Sequence, residues 1–411
     1  TCISCAKHAN INLIAVRDGK MGINTRASRA KTSRTAITII FLVSAALVTA
    51  TLFSCAARSK GFTETGWFRT VEATETHDLY ARNRDGSRYF NPWLRMPEKR
   101  FMDIIMWRFF GPARFTEKEQ NHLPEIIPDT AQRIEAFKGD FILWIGHNTF
   151  LVRIQNTWWL TDPILTKRAL LPARKTPPAL TIEELNRLAA PLNIIISHNH
   201  YDHLDRETME TLPRNAVVYA PMGLKQTILD MNKTRVIEMD WWDKAHSGGD
   251  STLICLPAQH WSMRVSQKRN QTLWASFLLQ TPNYTLYFGG DSGYFKGFRE
   301  FGKKFPAIDY AFLATTAYYP RWFMHYQHMN IPEAVKGFEE LGARYFIPTQ
   351  WGTFHLGDEP VGVPALELEA YIRENNLDSK RFKILDIGQI LPITPNTKEE
   401  AYEYTATLPR I

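Results

Sequence analysis

Three histidines and an aspartate fall within six residues: His198, His200, Asp202 and His203, in the run Ser197-His-Asn-His-Tyr-Asp-His203. Imidazole and carboxylate are ligands that zinc favours, and a cluster of them is costly to bury without compensation. Two further groups of the same kind stand apart: His260 in Pro257-Ala-Gln-His260, and Asp291 in Gly289-Gly-Asp291, where glycines let the backbone approach closely. Each is weak evidence alone. As a set they point to metal-assisted hydrolysis, in which cations lower the pKa of a shared water and supply a nucleophile at neutral pH.

Those side chains need elements to hold them. The β-branched run Ile194-Ile-Ile196, bounded upstream by Pro191, reads as a buried strand. Its alternation would set His198 and His200 on one side, with Asp202 and His203 at the turn beyond. Short apolar segments at 141–144, 149–155 and 157–160, with turns at Gly146-His147-Asn148 and Asn156, read as a β-meander ended by Thr161-Asp162-Pro163. Asp162 is either a turn residue or a partner that orients a metal histidine. Residues 181–188 open with Thr-x-x-Glu, a helix-capping pattern. Beyond the histidine cluster, strands are expected at 216–220, 235–239, 251–257, 272–280, 285–288, 310–314 and 382–386. Helices are expected at 222–231, 332–341 and 365–374. His260 and Asp291 each follow a strand, in two β-rich halves with helices outside.

His-x-His-x-Asp-His after an apolar strand resembles the first metal motif of the metallo-β-lactamase fold. From about Asn91 to Leu391 the sequence is similar to the N-acylphosphatidylethanolamine-hydrolysing phospholipase D family of that superfamily. The residues that carry the resemblance are Leu160-Thr-Asp-Pro-Ile164, Ile196 to Leu204, Asp240-Trp-Trp242, Gln259-His-Trp261, Gly290-Asp-Ser-Gly-Tyr294 and Trp351-Gly-Thr-Phe354. Pro320-Arg-Trp-Phe-Met324 with Tyr326-Gln-His328 is not general to the fold and is the most telling block. The resemblance implies an α+β fold, a four-layer αββα sandwich with the site on its edge. It implies two zinc ions, one held by His198, His200 and His260, the other by Asp202 and His203, with Asp291 bridging.

It further implies in-line hydrolysis of a phosphodiester, releasing N-acylethanolamine and leaving phosphatidic acid. Asp202 and Asp291 would act through the metals, and Gln327 and His328 would lie at the substrate phosphate. His328 would contact the phosphate or transfer a proton, with Tyr201 as a pocket wall. Trp241, Trp242, Trp261 and Trp322 either line an acyl route or pack the core. One position departs from the family: a histidine ligand of the second metal precedes Trp-Gly-Thr-Phe there, and Gln350 stands in its place here. A carboxamide oxygen is the poorer ligand, so a tight first metal and a labile second one are expected; His355, five residues on, is an alternative ligand to which nothing in the sequence assigns a reach. A lactonase of the same fold would share the metals without needing the Arg321–His328 block, and an envelope lipoprotein with a decayed metal site is a third reading.

The net charge of +7 is misleading. Residues 1–54 hold seven Lys or Arg and one Asp, leaving a net of +1 for the remainder, so the body gives no argument for nucleic-acid binding. Arg26, Arg29, Lys31 and Arg34 precede an uncharged run over 35–57, a signal-peptide pattern. Leu52-Phe-Ser-Cys55 resembles a bacterial lipobox, in which the cysteine is lipidated. The rival is an uncleaved anchor, since the run is close to the roughly 20 residues a spanning helix needs. Acylation of Cys55 and loss of the leader would leave Cys255 as the one free cysteine and no disulfide. The expected organisation is a leader (1–58), a polar linker and N-terminal cap (59–140), a hydrolase domain (141–395) and a tail (396–411). The expected setting is the bacterial cell envelope, with a phospholipid substrate. The membrane would be met through the lipid anchor or through the apolar helix expected at 101–110, whose alternative role is packing.

Overall fold

The computed structural model describes residues 61–394, apart from 110–114, 248–249 and 266. The leader, Cys55 and the tail lie outside the described residues. The stretch read as a linker is instead built into the core. A helix over Glu64–Glu72 starts at Thr63, whose side chain accepts from Gly66 N (3.1 Å), and it buries Trp67 and Val71. A hairpin follows, β1 (Arg84–Asp85) with β2 (Arg88–Tyr89). Trp67, Val71, Leu79, Tyr89 and Trp93 join the same apolar cluster as the sheets, which is why so polar a stretch is ordered. Polar contacts hold it as well. Trp93 Nε1 donates to Gln259 Oε1 (3.0 Å), and Arg321 bridges Glu64 (2.8 Å) and Glu333 (2.7 Å). The apolar segment after Arg100 is helical over Phe101–Phe109.

In β3 (Phe141–Gly146) every residue is buried, and alternation sorts them into two sets. Phe141, Leu143 and Ile145 pack against Ala131, Ile134 and Leu185 of the helices Thr130–Ala136 and Ile182–Leu188. Ile142 and Trp144 belong to the cluster that holds Phe277, Leu279, Phe288 and Phe312 of the second sheet. That second sheet is covered in turn by Phe298, Phe301, Phe338 and Leu341 of the helices Gly297–Lys304 and Ile331–Leu341. Helix, sheet, sheet and helix therefore stack as four layers.

The first sheet contains β3, β4 (Thr149–Ile154), β5 (Thr157–Thr161), β6 (Leu192–Ile195), β7 (Val217–Pro221) and β8 (Arg235–Met239). The second contains β9 (Lys244–His246), β10 (Thr252–Leu256), β11 (Ser276–Gln280), β12 (Thr285–Phe288), β13 (Tyr310–Ala314) and β14 (Tyr345–Thr349). A last strand, β15 (Ile390–Pro392), returns to pair antiparallel with β3. Strand orders are β15-β3-β4-β5-β6-β7-β8 and β14-β13-β12-β11-β10-β9. Both sheets are mixed: β5 to β8 and β12 to β14 run parallel, the rest antiparallel.

Three expectations need correction. Residues 382–386 do not form a strand. Phe382 makes one isolated bridge to Phe346, and its ring packs among the core aromatics. The helix expected over 222–231 is one short turn, Lys225–Leu229. The strand before the histidine cluster ends at Ile195, so His198 and His200 are loop residues and strand alternation is not what pairs them.

Candidate metal centre

The loop 197–204 leaves β6 and runs into the helix Arg206–Thr211, which Asp205 caps by accepting from Thr208 N (2.9 Å). Its shape is set by Asp162, fully buried at the end of β5. One carboxylate oxygen of Asp162 accepts from Ser197 N (2.7 Å). The other accepts from Ser197 Oγ (2.6 Å) and Asn148 Nδ2 (2.8 Å), and lies 2.6 Å from His203 Nδ1. That last contact turns His203 Nε2 inward. Of the two readings of Asp162, the structure gives the orienting partner. Gly290 brings the second sheet to this loop: a Cβ there would lie 2.6 Å from Ser197 Cβ.

Two groups of potential ligands result, each with its donor atoms within 4.8 Å of one another: His198, His200, His260 and Asp291, and His147, Asp202 and His203. In the first, His198 Nε2 lies 2.7 Å and His260 Nε2 3.2 Å from His200 Nδ1, while Asp291 Oδ2 is 3.8 Å from His198 Nε2 and 3.5 Å from His260 Nε2. His260 is oriented by the Gln327 carbonyl, 3.2 Å from its Nδ1, and His198 by Ser197 Oγ at 2.9 Å. In the second, Asp202 Oδ2 lies 3.1 Å from His147 Nε2 and 3.3 Å from His203 Nε2. Asp291 links the groups, with Oδ1 3.2 Å from His203 Nε2. His203 Nε2 is buried and, although near two carboxylates, makes no directed hydrogen bond to either; His200 Nε2 is likewise unpartnered. His147 Nε2 is within hydrogen-bond reach of Asp202, but a buried His203 Nε2 set between two carboxylates without hydrogen-bond geometry fits a divalent cation better than a hydrogen-bond network.

The charges agree. Burial and the neighbouring imidazoles hold His198 well below its usual range, burial likewise holds His260 well below it, and burial lowers His200 to about 4. Burial would raise Asp202 and Asp291, but His203 and the other imidazoles overcome it and hold both well below the carboxylate range. These are the deprotonated forms that bind metal. His203 goes the other way. Burial is outweighed by Asp291, Asp202 and Asp162, a ring of carboxylates that calls for positive charge at that point.

The groups open into a cleft of about 530 Å³ whose lining includes His200, Tyr201, Asp202, Asp291, Gln327 and His328. Its outer wall is apolar, with Trp107, Leu170, Leu171, Trp261, Met263 and Phe323, and Leu171 is 77% exposed at the rim. Gln327 Oε1 accepts from Lys99 Nζ (2.6 Å). Lys99 sits 3.9 Å from the Phe323 ring, and burial next to Arg269 lowers its pKa to about 7. His328 packs its ring 5.4 Å from His260, its buried Nδ1 is unpartnered, and burial lowers it to about 4. Tyr201 carries Arg264 over its ring at 4.2 Å. Of the four tryptophans, Trp261 lines this cleft and Trp322 a neighbouring one, whereas Trp241 and Trp242 pack, donating to the Trp274 (2.7 Å) and Leu79 (2.9 Å) carbonyls.

His198, His200, Asp202, His203, His260, Asp291, Tyr201, Gln327 and His328 all lie at this edge of the sandwich. Gln350 is there too, but not as a ligand in waiting. Its Nε2 donates to Asp291 Oδ1 and its Oε1 accepts from Thr316 Oγ1 (3.0 Å). His355 is exposed and belongs to neither ligand group, so it is no substitute. Sequence reasoning missed His147, read only as part of a turn, and Lys99. The one available signal for His147 was its place in a strand-end turn facing the Asp162 turn.

Comparison with known proteins agrees with this geometry. A Beta-lactamase superfamily domain matches residues 157–351. The chain is 31% identical over 280 residues to the N-acyl-phosphatidylethanolamine-hydrolyzing phospholipase D 1 of Caenorhabditis elegans, covering 64% of this chain and 78% of that one. The chain belongs to the metallo-β-lactamase superfamily of metal-dependent hydrolases, in its N-acylphosphatidylethanolamine-hydrolysing phospholipase D-like family. It is also 32% identical over 259 residues to the mitochondrial N-acyl-phosphatidylethanolamine-hydrolyzing phospholipase D of Saccharomyces cerevisiae, covering 59% of this chain and 54% of that one. An uncharacterized protein of Mycobacterium tuberculosis is 35% identical over 250 residues, 57% of this chain and 65% of that one, so the chain spans just under two thirds of that relative's length. Among solved structures, a possible metal-dependent hydrolase from Veillonella parvula aligns with TM-score 0.52 at 15% identity, covering 62% of this chain and 100% of that one, which speaks for the fold.

Proposed function

We propose that this member of the family is a zinc-dependent phosphodiesterase of the phospholipase D type that hydrolyses N-acylphosphatidylethanolamine. The observation that carries the reading is the cleft itself. It joins both ligand groups to the Lys99 amine, which is cationic below about pH 7, and to an apolar wall, which matches a substrate with a phosphate next to acyl chains. The worm and yeast relatives, whose names state this activity, support the same substrate. Bound cations would acidify water and offset charge on the phosphoryl oxygens. Water adds to phosphorus, the bond from phosphorus to the ethanolamine oxygen breaks, and N-acylethanolamine and phosphatidic acid separate. Gln327, positioned by Lys99, and His328 face the phosphate from the cleft wall. The neutral imidazole of His328 is in the form that accepts a proton or hydrogen bond. The leader pattern supports a place at the bacterial envelope through a lipid on Cys55 or an uncleaved anchor. Incorporation of labelled palmitate, abolished by Cys55→Ala, tests that part.

The deciding experiment is a mass-spectrometric product assay on N-acylphosphatidylethanolamine in detergent with zinc-supplemented protein, beside His200→Ala. N-acylethanolamine and phosphatidic acid from the parent alone support the reading. Metal bound without lipid product moves the substrate to another phosphodiester or a lactone, and absence of both favours a decayed site.

A further inference from the structure

The second ligand group raises a question that the first does not. From sequence it was expected to be one ligand short, because Gln350 is a poor donor to zinc. The structure supplies a different donor from the other sheet. His147 is fully buried in the β3–β4 turn, with its backbone in the left-handed region (φ 54°). Such a conformation in a non-glycine residue persists where the surroundings hold it. Here they do: His147 N donates to Thr353 Oγ1 (2.9 Å), its carbonyl accepts from Trp144 Nε1 (2.8 Å) and from Gln350 N (3.1 Å), and its ring stands edge-on to Phe354 at 5.1 Å. The Gln350 carbonyl lies 3.4 Å from His147 Nδ1, leaving Nε2 to face Asp202. His203 is backed by Asp162 at Nδ1 in the same way, and its buried, unpartnered Nε2 points at the same place.

The three consecutive separations His147–Asp202, Asp202–His203 and His203–Asp291 have the length expected between ligands of one cation. A tetrahedral zinc with ligand bonds of about 2.0 Å sets its ligand atoms about 3.3 Å apart. His147 Nε2, His203 Nε2 and Asp291 Oδ1 give the separations 3.1 Å (His147–Asp202), 3.3 Å (His203–Asp202) and 3.2 Å (His203–Asp291) around Asp202 Oδ2 and His203. Gln350, meanwhile, uses both ends of its carboxamide, holding Asp291 with its nitrogen while Thr316 holds its oxygen.

We propose that His147 is a ligand of a second divalent cation, completing a set with Asp202, His203 and Asp291, and that Gln350 is a positioning residue which orients Asp291 and His147. The second site is therefore complete without a ligand from Gln350, against the expectation of a labile one. This rests on the reading of the centre as a metal site, not on the identity of the lipid.

The test is metal binding by the full chain, stripped by chelation and titrated with Zn²⁺, with content read by plasma mass spectrometry after gel filtration. Co²⁺ absorption gives an independent readout of ligand number. The parent takes up two equivalents. His147→Ala takes up one under the same conditions, a weakening of the second site by more than about a hundredfold. Gln350→Ala still reaches two at saturation, with the second weakened about tenfold to a hundredfold, as expected for a group that orients ligands. Two equivalents with unchanged affinity in His147→Ala overturn the proposal, as does a parent that holds only one. Because His147 is buried and its variant could misfold, the parent is also followed by ¹⁵N NMR of the histidine rings. Addition of the second equivalent of Zn²⁺ shifts the His147 Nε2 resonance, and an unmoved resonance overturns the proposal. One equivalent with lipid cleavage intact sinks this inference alone; two equivalents with no lipid product sinks only the substrate reading.

Discussion

The two ligand groups share Asp291 and one edge of the sandwich, yet they are built differently. The first is three imidazoles and one carboxylate, oriented by a hydroxyl and a backbone carbonyl, and His200 opens onto the cleft. The second has two imidazoles and two carboxylates, with a third carboxylate, Asp162, directly behind His203. The consequence shows in protonation. Imidazoles of the first group are held neutral, while His203 in the second is held far above its usual pKa by the anions around it. A cation binds deprotonated donors, and buried surplus anionic charge is costly without one. The first group is therefore a set of neutral donors, and the second carries the surplus of negative charge.

The severest way to break the comparison is to remove a donor from the first group. His260→Ala should cost more than about a thousandfold in hydrolysis, with loss of the first cation by metal analysis; wild-type turnover would show that the first group is not the working one. Next, Asp162→Asn removes the anion behind His203 and should weaken the second cation about tenfold to a hundredfold while leaving the first unchanged. Equal loss from both groups would erase the distinction drawn here. Lys99→Met should lower kcat/KM about tenfold near pH 6, where the lysine is charged, and change little at pH 9. The parent should accordingly bind anionic lipid less well as pH rises through about 7, and a flat profile would remove Lys99 from the substrate. In metal-free protein, His200 and His328 have depressed pKa values of about 4. The unfolded chain then takes up more protons, so the stability they contribute is present above about 6.5 and lost as pH falls through 4. The melting temperature should drop across that window, and less so with zinc present. Smallest of all, Leu171→Ser at the cleft rim should leave unfolding within about 0.5 kcal/mol of the parent, yet weaken association with phospholipid vesicles severalfold.

The same contrast explains what was legible in the sequence. His198, His200, Asp202 and His203 sit in one loop, so their spacing alone announced a metal site, and Asp291 was visible because two glycines precede it. His147 carried no such mark. It is brought in by the irregular register between β3 and β4 at Trp144 and Gly146, and by β14 ending beside it, and both are facts of sheet assembly. The order of strands and helices indicated two β-rich halves with helices outside, and the four layers followed from the family resemblance. The failure at 61–100 was one of composition. Its apolar residues are few, but Trp67, Val71, Tyr89 and Trp93 are each buried, and burial of scattered large side chains is not visible as periodicity. Residues 382–386 failed for the opposite reason: Phe382 and its neighbours are apolar enough for a strand, and tertiary packing used them otherwise.

The docking of that early stretch has a consequence for how the molecule is made. Glu64 meets Arg321, 257 positions later in the chain, and Lys99 meets Gln327, 228 positions later. A ribosome releases these residues long before their partners exist, so their native contacts are of long range in sequence. The wall that this early part supplies therefore cannot close on the cleft before Gln327 has been made. An expression fragment beginning at the first long strand would lack Lys99 and Trp107, and with them one wall of the cleft.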